Sequence, residues 1–249
     1  MGIDYRQAAR RAGQVALQVA AALFLTSVAW VLVYRWVSPP ATWLMLERRS
    51  HRPQASYGGL LPEGASRRIH YSFVHLDEVS PQLPLALVAA EDQRFLIHRG
   101  FDTEAMWKAA KHNFGGDGPI RGGSTITQQV AKNVFLWQGR SYLRKAAEAY
   151  FTVLIELLWD KRRIMEVYLN VAEMGDCVFG AEAAAQKHFG RPARKLTSAQ
   201  AALLAAVLPN PLKFQAGSPG PQARAKQRRV LRNMRRLGGT AYVRALLEQ

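Results

Sequence analysis

Apolar and polar residues follow one another along this chain in three patterns, and each pattern predicts a different kind of element. Residues 15–34 are apolar almost without interruption, with Gln18, Thr26 and Ser27 as the only clearly polar members. Residues 69–74 alternate with a period of two, which predicts one short strand. Most of the remainder repeats with a period near 3.6, which predicts helices. The patterns therefore predict a mostly α chain behind one long apolar segment.

The apolar segment has the length and the flanks of a membrane anchor. As a helix it spans about 30 Å, which matches the hydrocarbon core of a bilayer. Basic residues precede it and aromatic residues end it, as is typical of a cytoplasmic flank and a membrane interface: Arg6, Arg10, Arg11, Trp30, Tyr34 and Trp36. We expect a single-pass anchor with a cytoplasmic N-terminus. The alternative is a cleaved signal peptide, whose apolar region is usually shorter and ends at small residues.

Downstream, the pattern places two helices and one connection. Residues 141–159 should form a long helix whose buried face carries Leu143, Ala147, Tyr150, Leu154, Leu157 and Leu158. Thr197 and Gln200 form a T-x-x-Q capping box before an Ala- and Leu-rich helix that stops at Pro209. Residues 50–66 are rich in Pro and Gly, which predicts an irregular connection.

Composition restricts the partners. The 249 residues carry a formal net charge of +16, which suits nucleic acid, an anionic membrane surface or a phosphorylated substrate. Cys177 is the only cysteine, so no intramolecular disulfide can form. Residues 219–249 are strongly basic with apolar residues between the cations, which predicts a basic helix with an apolar edge. Since no nucleic-acid motif accompanies it, we expect it to contact anionic lipid headgroups instead.

The most informative stretch is residues 122–129, which read GGSTITQQ. A Gly pair followed by Ser and Thr predicts a loop that ends on a helix cap. Beyond the cap, Gln128, Gln129 and Lys132 put neutral donors and a cation on the first turns of the helix. Because a helix N-terminus favours anions, this arrangement predicts an anionic, hydroxyl-rich ligand such as a sugar phosphate. The alternative is a capped surface helix.

Three further blocks accompany this stretch, at residues 91–102, 144–148 and 161–170. In order and spacing the four blocks resemble the peptidoglycan glycosyltransferases that polymerise lipid II. The patterns of that family are E-D-x-x-F-x-x-H-x-G, G-x-S-T-I-T-Q-Q, R-K-x-x-E and K-x-x-I-L-E-x-Y-L-N. Met165 departs from them where the family usually has Leu, which conserves volume. The resemblance covers residues 83–214.

Residues 168–180 are similar to the monofunctional branch of this family, although Met174, Cys177 and His188 depart from its usual residues. The resemblance implies a lysozyme-like helical glycosyltransferase domain with a small membrane-proximal jaw. The sequence contains no S-x-x-K motif, so we expect strand extension without peptide cross-linking. The expected organisation is a cytoplasmic N-terminus (1–14), a transmembrane helix (15–37), a linker and membrane-proximal segment (38–68), a catalytic domain (69–218) and a basic C-terminal helical segment packed on or next to it (219–249).

Polymerisation of lipid II requires a base for the attacking 4-hydroxyl and cations for the departing pyrophosphate. The resemblance places the base at Glu91, which follows an apolar run that should raise its pKa by partial burial. If this segment is helical, Phe95 and His98 lie near the same face. The alternatives are a surface carboxylate that caps a helix and, for His98, a packed structural residue.

Glu148 is the second catalytic candidate, with Arg144 and Lys145 one helical turn before it. The resemblance implies that the two cations hold the pyrophosphate while Glu148 orients a cation or assists the donor. The structural alternative is an exposed salt bridge that contributes only tenths of a kcal/mol.

The remaining candidates are substrate-binding residues. Five should line the donor side, where Ser124 and Gln128 can face one groove: Ser124, Thr125, Gln128, Gln129 and Lys132. The first block adds Asp92, Phe95 and His98, and the fourth adds Lys161, Glu166 and Asn170, of which the last two are expected to brace the cleft floor. No metal-binding motif is present. Mg²⁺ at the pyrophosphate would need only one or two carboxylates, and Asp92 or Glu148 could serve.

The leading hypothesis is a membrane-anchored transferase that makes β-1,4-linked glycan with inversion. A lytic enzyme of the same architecture would cut strands instead, but it needs no pyrophosphate cradle. A non-catalytic scaffold would have no use for Glu91 together with Glu148. The implied partners are lipid II, the nascent strand and membrane lipids, with other cell-wall synthases or divisome proteins as further candidates and no nucleic acid. The implied location is the bacterial inner membrane, with the catalytic domain in the periplasm.

Overall fold

A computed structural model of the protein describes residues 5–50, 68–116, 122–139 and 141–249. In chain order the elements are α1 (Tyr5–Trp36), α2 (Trp43–Ser50), β1 (His70–Tyr71), α3 (Gln82–Glu91), α4 (Thr103–Gly115), α5 (Ile126–Phe135), α6 (Tyr142–Leu158), α7 (Lys161–Val171), β2 (Glu173–Gly175), β3 (Val178–Phe179), α8 (Ala181–Phe189), α9 (Ser198–Val207), α10 (Pro221–Arg236) and α11 (Thr240–Leu247). The prediction of a mostly helical chain is confirmed. The irregular connection predicted at residues 50–66 lies outside the described residues, apart from the end of α2.

The chain separates into two compact units, Met1–Ser38 and Pro39–Gln249. The first contains α1, in which Ala9–Trp36 includes an 18-residue window of mean hydropathy 2.1 and is long and apolar enough to cross a membrane. The helix begins ten residues before the apolar segment, because the polar turns at its start are rich in Ala, Arg and Gln, which are good helix formers.

The core of the second unit is built around α3 and α9, which pack on each other. Both are apolar on every side, as expected for fully buried helices. The predicted capping box at the start of α9 is present, since Thr197 Oγ1 accepts a hydrogen bond from the Gln200 backbone at 3.3 Å. Because α10 and α11 also pack on α3, the C-terminal end of α3 is held from several sides. That end carries Glu91.

A second layer consists of α5 packed between α6 and α7, and a small sheet packs on α8 and α9. The strand predicted within residues 69–74 is present as β1, which pairs in parallel with β3. Strand β2 pairs with β3 in the antiparallel direction, so the strand order is β1-β3-β2. The hydrophobic pattern did not predict β2 and β3, because strands of two or three residues are too short to show a period of two.

Part of the predicted linker is helical. Helix α2 packs on α5, and Arg48 holds it to the sheet through a bidentate ion pair with Glu173. Arg48 Nε lies 2.9 Å from Glu173 Oε1, and its Nη2 lies 3.0 Å from Oε2. Residues 43–50 therefore belong to the second unit.

Helix α6 has the predicted extent, but its predicted buried face is wrong. Leu143, Tyr150 and Leu157 are exposed, and of the predicted set only Leu154 is buried. The buried side chains are instead Glu148, Phe151, Thr152, Leu154 and Ile155. The helix carries apolar residues on two faces, so the apolar pattern predicts a helix but does not show which face is buried. One of those faces stays exposed.

Helix α4 also exposes large apolar side chains. With those of α6 they define what we call the apolar surface: Met106, Trp107, Phe114, Tyr142, Leu143, Tyr150, Val153 and Leu157. Soluble proteins seldom leave so many large apolar side chains exposed on two neighbouring parts of a fold, so this surface indicates a contact with a membrane or a partner.

Candidate active site

Glu91 is the last residue of α3, and its carboxylate meets the start of α5. Gln129 Nε2 donates a hydrogen bond to Glu91 Oε2 at 2.9 Å. The hydroxyl of Tyr168, on α7, donates to Gln129 Oε1 at 3.1 Å, which fixes the orientation of the Gln129 amide. Three helices therefore place one carboxylate with one oxygen still available to a substrate.

Burial raises the pKa of Glu91 above its ordinary value, and the neighbouring Asp92 adds to the increase. The hydrogen bond from Gln129 and the positive charge of Lys226, on α10, act in the opposite direction. A carboxylate with a raised pKa is a stronger base, so these surroundings suit proton abstraction. Glu91 is half-buried at the end of a core helix and bonds to Gln129, so it is not a freely exposed surface carboxylate.

Asp92 joins α3 to the N-terminus of α5. Its Oδ2 accepts a hydrogen bond from the Ile126 backbone at 3.0 Å, and both its oxygens lie 2.9 Å from His98 Nε2. The idea that Phe95 and His98 share a helical face with Glu91 is wrong, because α3 ends at Glu91 and a series of turns follows. Phe95 is fully buried in these turns. Asp92, Phe95 and His98 thus shape the site from behind, and their contact with substrate stays a prediction.

The predicted helix cap at residues 122–129 is confirmed. Thr125 is the N-cap of α5 and forms a reciprocal capping box with Gln128. Its hydroxyl also donates to the Gly100 carbonyl at 2.6 Å. Both side chains are buried, so they build the loop that presents Ser124 and Gln129. A direct substrate contact by Thr125 or Gln128 stays a prediction.

Arg144, Lys145 and Glu148 form one cluster on the first turns of α6. Arg144 Nη1 lies 2.8 Å from Glu148 Oε2, and Lys145 Nζ pairs with the other carboxylate oxygen. The Glu148 side chain is only 4% exposed, so the alternative of an exposed salt bridge is wrong. Lys145 is half exposed, and its Nζ lies 3.5 Å from Ser124 Oγ. The third block of the sequence thereby meets the second.

The two cations outnumber the carboxylate in this cluster by one charge. The Arg144 guanidinium is fixed by Glu148 and by the Gly139 carbonyl, which accepts from its Nε at 2.7 Å. A fixed guanidinium beside a half-exposed ammonium is an arrangement that can bind phosphate oxygens. Buried Glu148 keeps both cations in place.

The candidates from the fourth block brace the fold. Lys161 Nζ pairs with Glu156 at 2.7 Å and lies 4.7 Å from the centre of the Phe95 ring. Glu166 accepts a hydrogen bond from the Leu76 backbone at 2.9 Å. Asn170 bonds to both backbone groups of Val74, at 3.0 and 2.8 Å. Glu166 and Asn170 hold the chain before α3, whereas Lys161 contacts α6 and the turns after α3. A role in binding substrate stays a prediction for each.

A cavity of about 340 Å³ opens beside the catalytic candidates. Its lining includes Glu91, Asp92 and Ser124 together with four charged residues that the sequence analysis did not select: Arg94, Asp102, Glu104 and Lys108. Lys132 is half-buried one turn beyond Gln129 on α5, so both lie near the same side of that helix. The cleft therefore extends from Glu91 past Ser124 towards the cations of α6.

Sequence reasoning missed Tyr168, Lys226 and Glu156. Tyr168 stands within the fourth block, so the motif could have identified it. Lys226 was counted only as one charge of the basic tail, and no local pattern connects it with Glu91. Glu156 accepts from the Thr127 hydroxyl at 2.5 Å and pairs with Lys161, a role that only the tertiary fold creates.

The described residues hold no group of three or more His, Cys, Asp and Glu side chains that could bind a metal ion. The oxygens of Asp92 and Glu148 bond to protein donors in this structure, so either carboxylate would exchange or share a partner if it bound Mg²⁺. Mg²⁺ held by the pyrophosphate oxygens themselves stays a prediction.

Comparison with known proteins identifies the family of the chain. The model of the family described as "Transglycosylase" matches residues 60–235. A biosynthetic peptidoglycan transglycosylase of Klebsiella oxytoca is 48% identical over 226 residues, 90% of each chain. One of Xanthomonas campestris pv. campestris is 46% identical over 250 residues, 98% of each chain. One of Pseudomonas aeruginosa is 49% identical over 217 residues, 87% of this chain and 90% of its own. The chain belongs to the transglycosylase family.

Proposed function

We propose that the protein is a peptidoglycan glycosyltransferase that polymerises lipid II into glycan strands. The observation that carries this proposal is a cleft that runs from Glu91, a half-buried carboxylate of raised pKa, past Ser124 towards the cation pair Arg144 and Lys145. Its relatives are named biosynthetic transglycosylases, which agrees with strand synthesis. The site thus offers a base at one end and a phosphate-binding pair at the other.

In the proposed reaction, the Glu91 carboxylate takes the proton of the 4-hydroxyl on the acceptor lipid II. The hydroxyl oxygen forms a bond to the anomeric carbon of the growing strand from the face opposite its lipid pyrophosphate. The bond from that carbon to the pyrophosphate oxygen breaks, and the pyrophosphate leaves with the electron pair. The configuration inverts and a β-1,4 bond results. Arg144 and Lys145 stabilise the charge that develops on the leaving group.

The donor side of the cleft positions the reacting sugar. Ser124 presents a hydroxyl to the cleft, and Lys132 adds a third cation near the path of the phosphates. Gln129, held by Tyr168, directs its amide N–H towards Glu91 and favours the ionised form of that carboxylate. Since these groups are fixed before substrate arrives, little reorganisation is needed during the reaction.

The decisive assay is incubation of the purified full chain with fluorescent lipid II, followed by gel separation of products. A transferase extends the substrate into a ladder of long strands. A lytic enzyme would leave lipid II unchanged and shorten strands that are added to it. Strand shortening without extension would overturn the proposal.

Helix α1 is the one helix of the described residues that is long and apolar enough to span a membrane, which fits a membrane-anchored protein. We further propose that this membrane is the bacterial inner membrane, with the catalytic unit in the periplasm. We propose that the apolar surface of α4 and α6 contacts the outer leaflet, since it exposes aromatic and aliphatic side chains of the kind that enter a bilayer interface. Association with other cell-wall synthases or divisome proteins stays a prediction.

A topology experiment tests the orientation. A reporter that is active only outside the cytoplasm should work when fused after Gln249 and should fail when fused before Val15. The reason is the group of cations Arg6, Arg10 and Arg11 that precedes the span, although Arg35, Arg48 and Arg49 on the other side reduce the asymmetry. A soluble product cleaved near Pro39 would show instead that the segment is a signal peptide.

The raised pKa of Glu91 predicts a specific pH dependence. A general base must be deprotonated, so kcat/KM should rise with pH through the pKa of Glu91 in the free enzyme. Gln129→Ala removes a hydrogen bond that lowers this pKa, and Lys226→Met removes a cation that lowers it. Both variants should move the acid limb of the profile to higher pH. A limb that stays in place in both variants would show that another group titrates there.

A further inference from the structure

The most strongly charged surface of the described chain lies on α10. This helix carries seven cations and no acidic residue: Arg224, Lys226, Arg228, Arg229, Arg232, Arg235 and Arg236. All six arginines are exposed, and none of them has a carboxylate within ion-pair distance in the part of the chain that the structure describes. Such a surface is self-repelling on its own, so its charge complements a partner rather than the fold.

The arginines lie on one side of α10. Its buried side is formed by Ala223, Val230 and Met234. With 100° between successive residues, Arg228, Arg232 and Arg235 point away from that buried side. We call the six exposed arginines the arginine face.

One flank of the arginine face leads to the catalytic carboxylate. Asn233 and Lys226 lie on the flank that meets α3, where Asn233 Nδ2 donates to the Ala89 carbonyl at 3.0 Å. Lys226 is half-buried there and close enough to Glu91 for each charge to act on the other. Arg229 is close enough to Lys226 to interact with it electrostatically. Positive charge thus begins at Lys226, whose charge acts on Glu91, and continues through Arg229 onto the arginine face.

Resting on the function proposed above, we infer that the arginine face binds the anionic peptide carried by the sugar unit held at Glu91. The substrate of a lipid II polymerase is a disaccharide that carries a peptide with free carboxylates. Arginine binds carboxylates through a planar two-pronged contact that lysine cannot reproduce, and six of the seven cations are arginine. The face would hold the peptide while the sugar 4-hydroxyl stays at the base.

Anionic headgroups are the other ligand of suitable charge, and the structure favours the peptide over them. A helix that lies on a membrane inserts its apolar side, but α10 buries its apolar side chains against the protein. Among the described residues, the large hydrophobic side chains that are exposed all lie at or before Leu157. The parts of the catalytic unit that suit a bilayer therefore lie before residue 158, among them α2, α4 and α6, whereas α10 packs on α9 and α3.

The test compares two triple variants of the full chain in neutral detergent micelles. Arg228, Arg232 and Arg235 are changed to Gln in the first. The control changes three exposed cations outside α10 to Gln, namely Lys187, Arg194 and Lys195, so both lose the same charge. Each is assayed with lipid II whose peptide carboxylates are free and with lipid II whose peptide carboxylates are amidated. Circular dichroism and melting verify that both variants fold.

We expect the α10 variant to raise KM about tenfold for the free-carboxylate substrate, since several exposed pairs each contribute a little. With the amidated substrate, the variant and the wild-type enzyme should have similar KM values, and the control should match wild type with both. The wild-type enzyme alone should prefer the free-carboxylate substrate at low salt and lose that preference at high salt.

An equal KM increase on both substrates, or none on either, would overturn the inference. A loss that occurs only in vesicles containing anionic phospholipid would assign the arginine face to headgroups. In each case wild-type polymerisation is intact, whereas failure of the proposed function would leave the wild-type enzyme without polymer from either substrate.

Discussion

Glu91→Gln should lower the rate of lipid II polymerisation about 10²-fold or more while the protein stays folded. The amide keeps the shape of the side chain and can still bond to Gln129, but it cannot accept the proton of the attacking hydroxyl. The measurement is the rate of polymer formation from fluorescent lipid II at saturating substrate. Turnover near the wild-type rate would remove Glu91 from the mechanism.

A matched control is Glu104→Gln, which neutralises an exposed carboxylate in the lining of the same cavity. Glu104 pairs with Arg94 and Lys108 at the surface, so its loss should change turnover only a few-fold. If Glu104→Gln were as damaging as Glu91→Gln, the effect would come from the charge of the cavity rather than from one base.

Glu91→Gln should leave the melting temperature unchanged or raise it at neutral pH. Since the folded-state pKa of Glu91 is raised, the native state holds this proton more tightly than the unfolded chain does. Stability from this group is therefore present at low pH and is lost as pH rises from the ordinary glutamate value through the raised one. Glutamine carries no such pH-dependent cost. A lower melting temperature would indicate that the charged form of Glu91 stabilises the fold.

The sequence predicted the parts of this protein that depend on local chemistry. The cap at Thr125, the capping box of Thr197 and the extent of α6 each follow from residues within a few positions of one another. From the order of the four blocks, the family resemblance assigned Glu91 and the α6 cluster to the same reaction. These predictions needed only short-range rules and the family resemblance.

Properties that depend on tertiary packing were not available from the sequence. Helix α6 carries apolar residues on two faces, so its buried side is decided by α5, against which it packs. Periodicity assumed that α3 could continue through His98, whereas Asp92 ends it and bonds across to α5 instead. Lys226 lies far from Glu91 in sequence, and only the packing of α10 on α3 brings their charges together.

The second large effect is expected at the α6 cluster, where Lys145→Met should strongly reduce turnover and barely change stability. Lys145 is half exposed, and its loss leaves Glu148 still paired with Arg144 at 2.8 Å. The expected cost in folding free energy is therefore about 1 kcal/mol or less. The catalytic cost is larger, because the substitution removes a charge that stabilises the departing pyrophosphate. Arg144→Lys should also be damaging, since an ammonium cannot replace a fixed guanidinium at a phosphate.

Arg48→Met, away from the cleft, is the control that separates a loss of stability from a loss of catalysis. It breaks the pair that holds α2 to Glu173, whose side chain is only 6% exposed, so it leaves a buried carboxylate without its cationic partner. Such a loss commonly lowers the free energy of unfolding by about 3–5 kcal/mol. The melting temperature should therefore fall clearly, while turnover per folded molecule stays within about twofold of the wild-type value. The α6 variants should show the opposite combination. If their activity falls only in proportion to melting, as it would for a salt bridge that merely supports α6, the cluster does not bind the leaving group. A catalytic loss far in excess of the melting shift requires that Arg144 and Lys145 act on the substrate, because their structural role is then already accounted for by the change in stability.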